Sequence, residues 1–282
     1  MNGAVYLLDK EPGISSRRAA MAVAKANGFK KYGHCGTLDP DATGLLVVAL
    51  GRATRLAAYI SGETKRYSFH LVTGILTDTL DLTGTVIRNA DNSHLVTKSV
   101  VDQLSRFTGT FLQQVPLFSA VRVQGKRGYK LARSGETPDM PERLVTATDW
   151  ASGELHDGRI PLEVTVSAGT YVRSLARDIG EAIGVPSVAD CIRRTRSGSF
   201  SVSEASQLPS SEGSFLSMAQ AMRDYTQVIA GEREEQSILH GMPVSSHVKG
   251  IVSVLDTRGN LIAVAFGDGE YLQPKAVLAG GE

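Results

Sequence analysis

Apolar residues fall along this chain in two rhythms, one of period two and one near 3.6, and the rhythm separates strands from helices. VYLLDKEPGISS at residues 5–16 predicts a short strand followed by a turn. Ser15 or Ser16 then caps a helix, SRRAAMAVAKANG, which Gly28 ends. LLVVAL at 45–50 is apolar throughout, and its length fits either a buried strand or a turn of core helix. ATRLAAYI at 53–60 predicts a helix, and KRYSFHLVTGILTDT at 65–79 alternates like a strand of an antiparallel sheet. TKSVVDQLSRFTG at 97–109 predicts a helix with Gly109 at its C-cap. RIPLEVTVSAGTYVRSLARDIGEAIG at 159–184 predicts a strand, a Gly-Thr-Tyr turn and a helix, and SGSFSV at 197–202 a further strand.

Strands and helices mixed in this order predict an α+β fold built on one large, mainly antiparallel sheet flanked by helices. Residues 201–232, rich in Ser, Gly and Glu and containing Pro209, read as a connector plus a helix. The last segment, about residues 236–282, holds two β-rich runs meeting at Asp-Thr-Arg-Gly-Asn (256–260), a hairpin signal, with a second turn at Gly-Asp-Gly (267–269). It predicts a small β module, too short for a large core of its own.

Composition narrows the class without naming it. At 282 residues the chain is long enough for a substantial core, and its start lacks the basic flank and apolar run of a signal peptide. No run approaches a membrane span. Two cysteines, Cys35 and Cys191, give no framework of bridges, which fits a reducing, cytoplasmic setting. No metal-ligand spacing, Walker loop or dinucleotide fingerprint is present, so no metal or cofactor is expected. The net charge of +1 does not announce a nucleic-acid binder, but the charges are segregated. Arg122, Lys126, Arg127, Lys130 and Arg133 crowd one segment and Arg173, Arg177, Arg193, Arg194 and Arg196 another, whereas Glu204, Glu212, Asp224, Glu232, Glu234 and Glu235 mark residues 201–235. Segregation of this kind makes either a positive face or two solvated helix surfaces, and charge alone does not choose.

The candidate chemistry centres on GHCGTLDPDATG at 33–44. Pro40 pushes Asp39 out of helical geometry, and Gly33, Gly36 and Gly44 let the chain turn tightly around it. The prediction is a rigid loop holding up one carboxylate, with the LLVVAL run buried behind it. An Asp before Pro also opens ordinary turns, but such a turn needs neither Gly-His-x-Gly nor Ala-Thr-Gly.

This stretch closely resembles the nucleophile motif of the TruB family of pseudouridine synthases, with Cys35 in place of the usual threonine and Asp41 at a variable position. The resemblance implies a pseudouridine synthase fold over about residues 1–230, followed by a small β-barrel-like PUA domain at 236–282, whose entry HGMPV (240–244) resembles. KRYSFHLVTG (65–74) resembles the family's second motif, which makes Tyr67 the residue that stacks on the target base and takes part in proton transfer. SAGTYVRSLARDIG (167–180) resembles the third, which makes Arg173 the partner that keeps Asp39 ionised and places Tyr171 in the pocket wall. CIRRTRSGSF (191–200) places Ile192 near the base and gives Arg193 and Arg194 supporting roles. QVPLFSAVRVQGKRGYKLARSG, in a region of about 114–140, resembles the RNA-clasping segment, with Arg122, Lys126, Arg127 and Lys130 among its RNA contacts. His34 is expected to enter the tRNA T loop, and Gly36, Thr37 and Leu38 to line the substrate.

The implied activity isomerises the uridine at position 55 in the T loop of tRNA, with the base flipped out and Asp39 as nucleophile. Neither a cofactor nor an obligatory protein partner is implied, the expected state is a monomer, and the expected partner is the tRNA T stem-loop. Two other classes remain as alternatives: a glycoside hydrolase pairing Asp39 with Asp41 or Asp78, and an RNA chaperone without chemistry.

Overall fold

A computed structural model describes residues 2–123, 125–207 and 214–278, and the chain divides into two compact bodies. One comprises residues 1–40, 44–63 and 197–282, the other residues 41–43 and 64–196. No helix among the described residues is long and apolar enough to cross a membrane.

In the first body the strand Gly3–Lys10 lies between Ser214–Leu216 and Thr43–Gly51, antiparallel to both. The short strand Tyr32–His34 adds to the far side of Thr43–Gly51. LLVVAL is therefore strand, and all six of its residues are buried. That continuous apolar run fits a strand covered on both faces. The helix Ser16–Ala26 is capped by Ser15, whose hydroxyl accepts from the Arg18 amide, and it ends one residue before Asn27, with Gly28 in the left-handed region at φ +72°. The expected helix at 53–60 begins as a tight 3₁₀ stretch, Arg52–Leu56, and becomes α-helical only over Ala57–Ser61.

The C-terminal part of the same body is a five-stranded sheet. Its strand order is Thr226–Ile229, Lys249–Leu255, Leu261–Asp268, Tyr271–Val277 and Val244–Ser245. Its hairpin turns at residues 256–260, as the sequence predicts, with the Asp256 carboxylate accepting from the amides of Arg258 and Asn260. The sheet reaches upstream of residue 236, because Thr226–Ile229 pairs in parallel with Lys249–Leu255. It carries a core of its own around Ile238, Val252, Val254 and Ala263. Leu255, Leu261, Val264 and Leu278 instead join the cluster of Val5, Leu7, Val47 and Phe200. Sharing a core is how so small a sheet buries enough apolar area. Arg52 and Arg55 add hydrogen bonds to the carbonyls of Leu278 and Val277. Of the predicted connector, Pro209 and Glu212 lie outside the described residues; the rest forms the turn Val202–Glu204 and the helix Met218–Ala221.

In the second body the strand order is Ser187–Ser197, Lys65–Thr73, Arg159–Val166, Glu142–Ser152 and Gly109–Gln114. The last four are joined antiparallel, so the expected large, mainly antiparallel sheet with helices is what forms. The helix Val172–Ile183 buries Leu175, Ala176 and Ile179 and ends at Gly184 in the left-handed conformation. The long strand expected over 65–79 breaks at Gly74, where φ is +91°, and Ile75–Thr77 pairs instead with Val86–Asn89. The helix at 97–109 is shorter than predicted, running Thr97–Leu104, and Gly109 opens a strand rather than capping the helix.

Candidate active site

Asp39 lies in the connection between Tyr32–His34 and Thr43–Gly51, and is partly exposed. The base of this loop is closed by the amide of Cys35 donating to Val47 O at 2.9 Å. Both neighbours of Asp39 are fastened. The buried Ser16 hydroxyl accepts from the Leu38 amide and donates to the Leu38 carbonyl, each at 2.8 Å. The Lys10 ammonium, only 1% exposed, donates to the carbonyls of Pro40 and Glu11 at 2.8 Å and of Ile14 at 2.9 Å. A buried ammonium satisfied by three carbonyls is a rigid anchor, because each of its donors has a fixed acceptor. Thr37 is exposed and Gly36 half-buried at φ +109°, while the Leu38 side chain is buried beneath the loop. His34, half-buried, borders a groove of about 500 Å³ lined also by Arg17, Lys30, Lys31 and Tyr32. Arg17, Lys30 and Lys31 are exposed, and the sequence does not single them out, because a lone cation beside a turn or on a helix carries no local mark of a groove.

Tyr67 and Arg173 belong to the second body. Tyr67 is 8% exposed on Lys65–Thr73, opposite Val164. Arg194, 1% exposed, reaches its hydroxyl with Nη1 at 3.5 Å, a long hydrogen bond. The sequence reading gave Arg194 a supporting role and grouped it with surface cations. Among the described residues it is the largest fully buried side chain, on the strand Ser187–Ser197 that also carries half-buried Ile192.

Arg173 is 4% exposed in the first turn of Val172–Ile183. Its guanidinium donates to Thr79 O at 2.6 Å and to Phe118 O at 3.0 Å, and its Nε lies 3.8 Å from the Asp81 carboxylate. Asp81 is itself caged: Thr79 Oγ1, Thr83 Oγ1 and the Thr83 amide all donate to Oδ1, at 2.6, 2.6 and 3.0 Å. The cage depends on strained backbone at Leu80, φ +64°, and on Gly84, where a Cβ would collide with Thr79 Oγ1 and Asp78 Oδ1. Asp78, one of the acids weighed for glycosidic chemistry, accepts from the Thr85 amide at 2.8 Å and so serves this turn. Tyr171 is held by its backbone: the buried Gln113 amide group accepts from Tyr171 N at 2.9 Å and donates to Tyr171 O at 3.2 Å.

The basic segment forms a hairpin, Arg122–Val123 with Lys126–Arg127, followed by the helix Gly128–Arg133. Arg122, Lys126, Arg127 and Lys130 are all exposed. Lys126 pairs with Glu136 at 3.3 Å, and Leu131 and Met140 anchor the segment. The second cluster of arginines divides: Arg173 and Arg194 are interior, Arg177 and Arg193 half-buried and Arg196 exposed.

These positions sit in a sequence with many relatives. The model of the TruB family pseudouridylate synthase N-terminal domain matches residues 24–172, taking in Asp39, Tyr67 and the basic hairpin. "tRNA pseudouridine synthase B" of Symbiobacterium thermophilum is 40% identical over 248 residues, covering 86% of this chain and 83% of that protein. The protein of the same name from Bacillus cytotoxicus is 33% identical over 282 residues, covering 92% and 91%. Among solved structures, a Cbf5-Nop10-Gar1 complex matches with a TM-score of 0.73 at 23% identity, covering 98% of this chain and 85% of that one. An H/ACA RNP bound to a substrate RNA containing 2'-deoxyuridine matches at 0.72 and 20%, with 98% and 85% covered. At those identities the structures show a common fold, while the sequence matches span most of the chain: it belongs to the TruB family of pseudouridylate synthases.

Proposed function

We propose that the protein isomerises uridine to pseudouridine at position 55, in the T loop of tRNA, with Asp39 as the nucleophile. The observation that carries this reading is the fastening of Leu38 and Pro40 on either side of Asp39. A carboxylate that must meet one carbon of a flipped nucleotide gains most from a loop whose position is settled before substrate arrives. The names of the relatives, tRNA pseudouridine synthase B, support the choice of tRNA.

In this reading the base leaves the loop stack at a cost of about a few kcal/mol, offset by phosphate contacts from Arg122, Lys126, Arg127 and Lys130. His34 enters the T loop, and Gly36, Thr37 and Leu38 shape the edge of the substrate site. Tyr67 stacks on the uracil, with Ile192 and Tyr171 completing its surroundings. Arg173 pairs with the Asp39 carboxylate, as a guanidinium does with an adjacent carboxylate. Asp39 then attacks C1′ or promotes proton loss at C2′; the uracil detaches at nitrogen, rotates and rejoins at carbon. The base is leaving group and nucleophile in turn, so the reaction balances without a cofactor. The C-terminal sheet acts as a PUA-type RNA-binding module, and the enzyme works in the cytoplasm as a monomer without an obligatory protein partner.

The test is incubation of the pure protein with a tRNA mixture and no added cofactor, followed by mass-spectrometric mapping of pseudouridine. The reading expects new pseudouridine at position 55 of T loops. An RNA chaperone would bind and reshape tRNA and leave every uridine unchanged.

A further inference from the structure

His70, Asp190 and Cys191 take no part in the proposed reaction. They offer a ring nitrogen, a carboxylate oxygen and a thiol sulfur, all within 4.8 Å of one another. The neighbouring strands Lys65–Thr73 and Ser187–Ser197 bring them together. Side chains alternate across a strand, so His70, with Ser68, faces away from buried Tyr67 and Phe69.

Several features distinguish this triad from a chance polar cluster. His70 Nδ1 is buried and makes no hydrogen bond among the described residues, which is unusual for a buried polar atom. Cys191 sits at φ +50°, a left-handed backbone that a non-glycine residue adopts only when its surroundings impose it. Arg159 holds Asp190 Oδ2 at 2.6 Å, as an outer partner orients a ligating carboxylate. Beside the triad is a pocket of about 340 Å³, lined by His70 and Cys191 with Ser68 and Glu163, which gives an entry path and room for water.

We propose that His70, Asp190 and Cys191 form a site for a divalent transition metal of the zinc type, with water completing the coordination shell. The donor set decides the class. Thiolate and imidazole suit zinc or cobalt, whereas magnesium prefers an all-oxygen shell. Tetrahedral bonds of about 2.0–2.3 Å require donor atoms roughly 3.5 Å apart, so the exposed Cys191 side chain closes inward on binding. Metal binding displaces the proton of the Cys191 thiol. The S–H bond breaks as the S–metal bond forms, the proton passes to solvent, and His70 binds as neutral imidazole. A loaded site ties together the strand that carries Tyr67 and the strand that carries Ile192 and Arg194.

The test uses the full chain, reduced and freed of metal, titrated with cobalt(II) alone. The expected result is a thiolate-to-cobalt charge-transfer band that zinc(II) abolishes by displacement, and a melting temperature raised by zinc(II) but not by magnesium(II). Cys191→Ser removes the band, and His70→Ala or Asp190→Asn weakens cobalt binding by at least about tenfold. Absence of the band, its survival in Cys191→Ser, or an equal shift with magnesium overturns the proposal. These readouts do not depend on pseudouridine formation.

Discussion

The buried ammonium of Lys10 donates to the carbonyl of Pro40 at 2.8 Å, which joins the end of the first strand to the residue that follows Asp39. The same ammonium holds Glu11 and Ile14, so one side chain ties the turn after the first strand to the loop after the second. Lys10→Met keeps the volume and removes the donors. Three carbonyls then lose a charged partner, and we expect a loss of about 2–4 kcal/mol on chemical denaturation. A displacement of Asp39 by about 1 Å costs about a hundredfold in kcat, with KM for tRNA changed far less.

Ser16→Ala tests the other fastening separately. It removes two buried hydrogen bonds to Leu38 at a cost of about 1–2 kcal/mol, while Ser15, which caps the helix, is untouched. The helix content by circular dichroism should therefore stay constant while kcat falls. A variant that lost helix and activity together would show that Ser16 matters only to the helix.

Gly84→Ala probes the support of Arg173. The added methyl meets Thr79 Oγ1 and Asp78 Oδ1, and lies 2.9 Å from Thr79 N, so the Asp81 cage must shift. Overpacking of this kind costs about 1–3 kcal/mol. Because Thr79 O and Asp81 both hold the Arg173 guanidinium, kcat should fall with tRNA binding intact, as measured by filter retention and single-turnover assays.

Tyr225 gives a pH dependence with a definite sign. Burial and the nearby Glu63 charge push its hydroxyl up to about 12, and it donates to Tyr59 O at 3.0 Å and Glu63 Oε1 at 3.1 Å. In the unfolded chain a tyrosine ionises near about 10, so above that pH unfolding releases a proton that the folded state retains. Stability therefore falls as pH rises from about 10 towards 12, and Tyr225→Phe makes that decline shallower in thermal melts.

What the sequence could reveal was whatever is written in consecutive residues. The Gly-rich turn around Asp39, the Gly-Thr-Tyr turn before Arg173 and the Asp-Thr-Arg-Gly-Asn hairpin are local patterns, and the last folds as its residues demand. The supports of the site are not local. Lys10 finds Pro40 thirty residues on, Ser16 finds Leu38 twenty-two on, and Gln113 holds Tyr171 from fifty-eight away. A single lysine, serine or glutamine carries no mark of such a partner. Arg194 is the extreme case: set in an arginine-rich run, it reads as surface charge, yet the sheet buries it against Tyr67. The strand Glu142–Ser152 was missed for a related reason, since only Val145 and Ala147 along it are buried and apolar alternation is nearly absent.

Asp39→Asn is the most direct measurement. It leaves the residues that fasten Leu38 and Pro40 in place, and replaces the charged, nucleophilic carboxylate by a neutral amide of nearly the same shape. Incubated with unmodified tRNA and scored by carbodiimide-primer extension across the T loop, the variant should bind as the wild type does and form no pseudouridine. Pseudouridine at position 55 made by Asp39→Asn at a rate near that of the wild type would contradict the account.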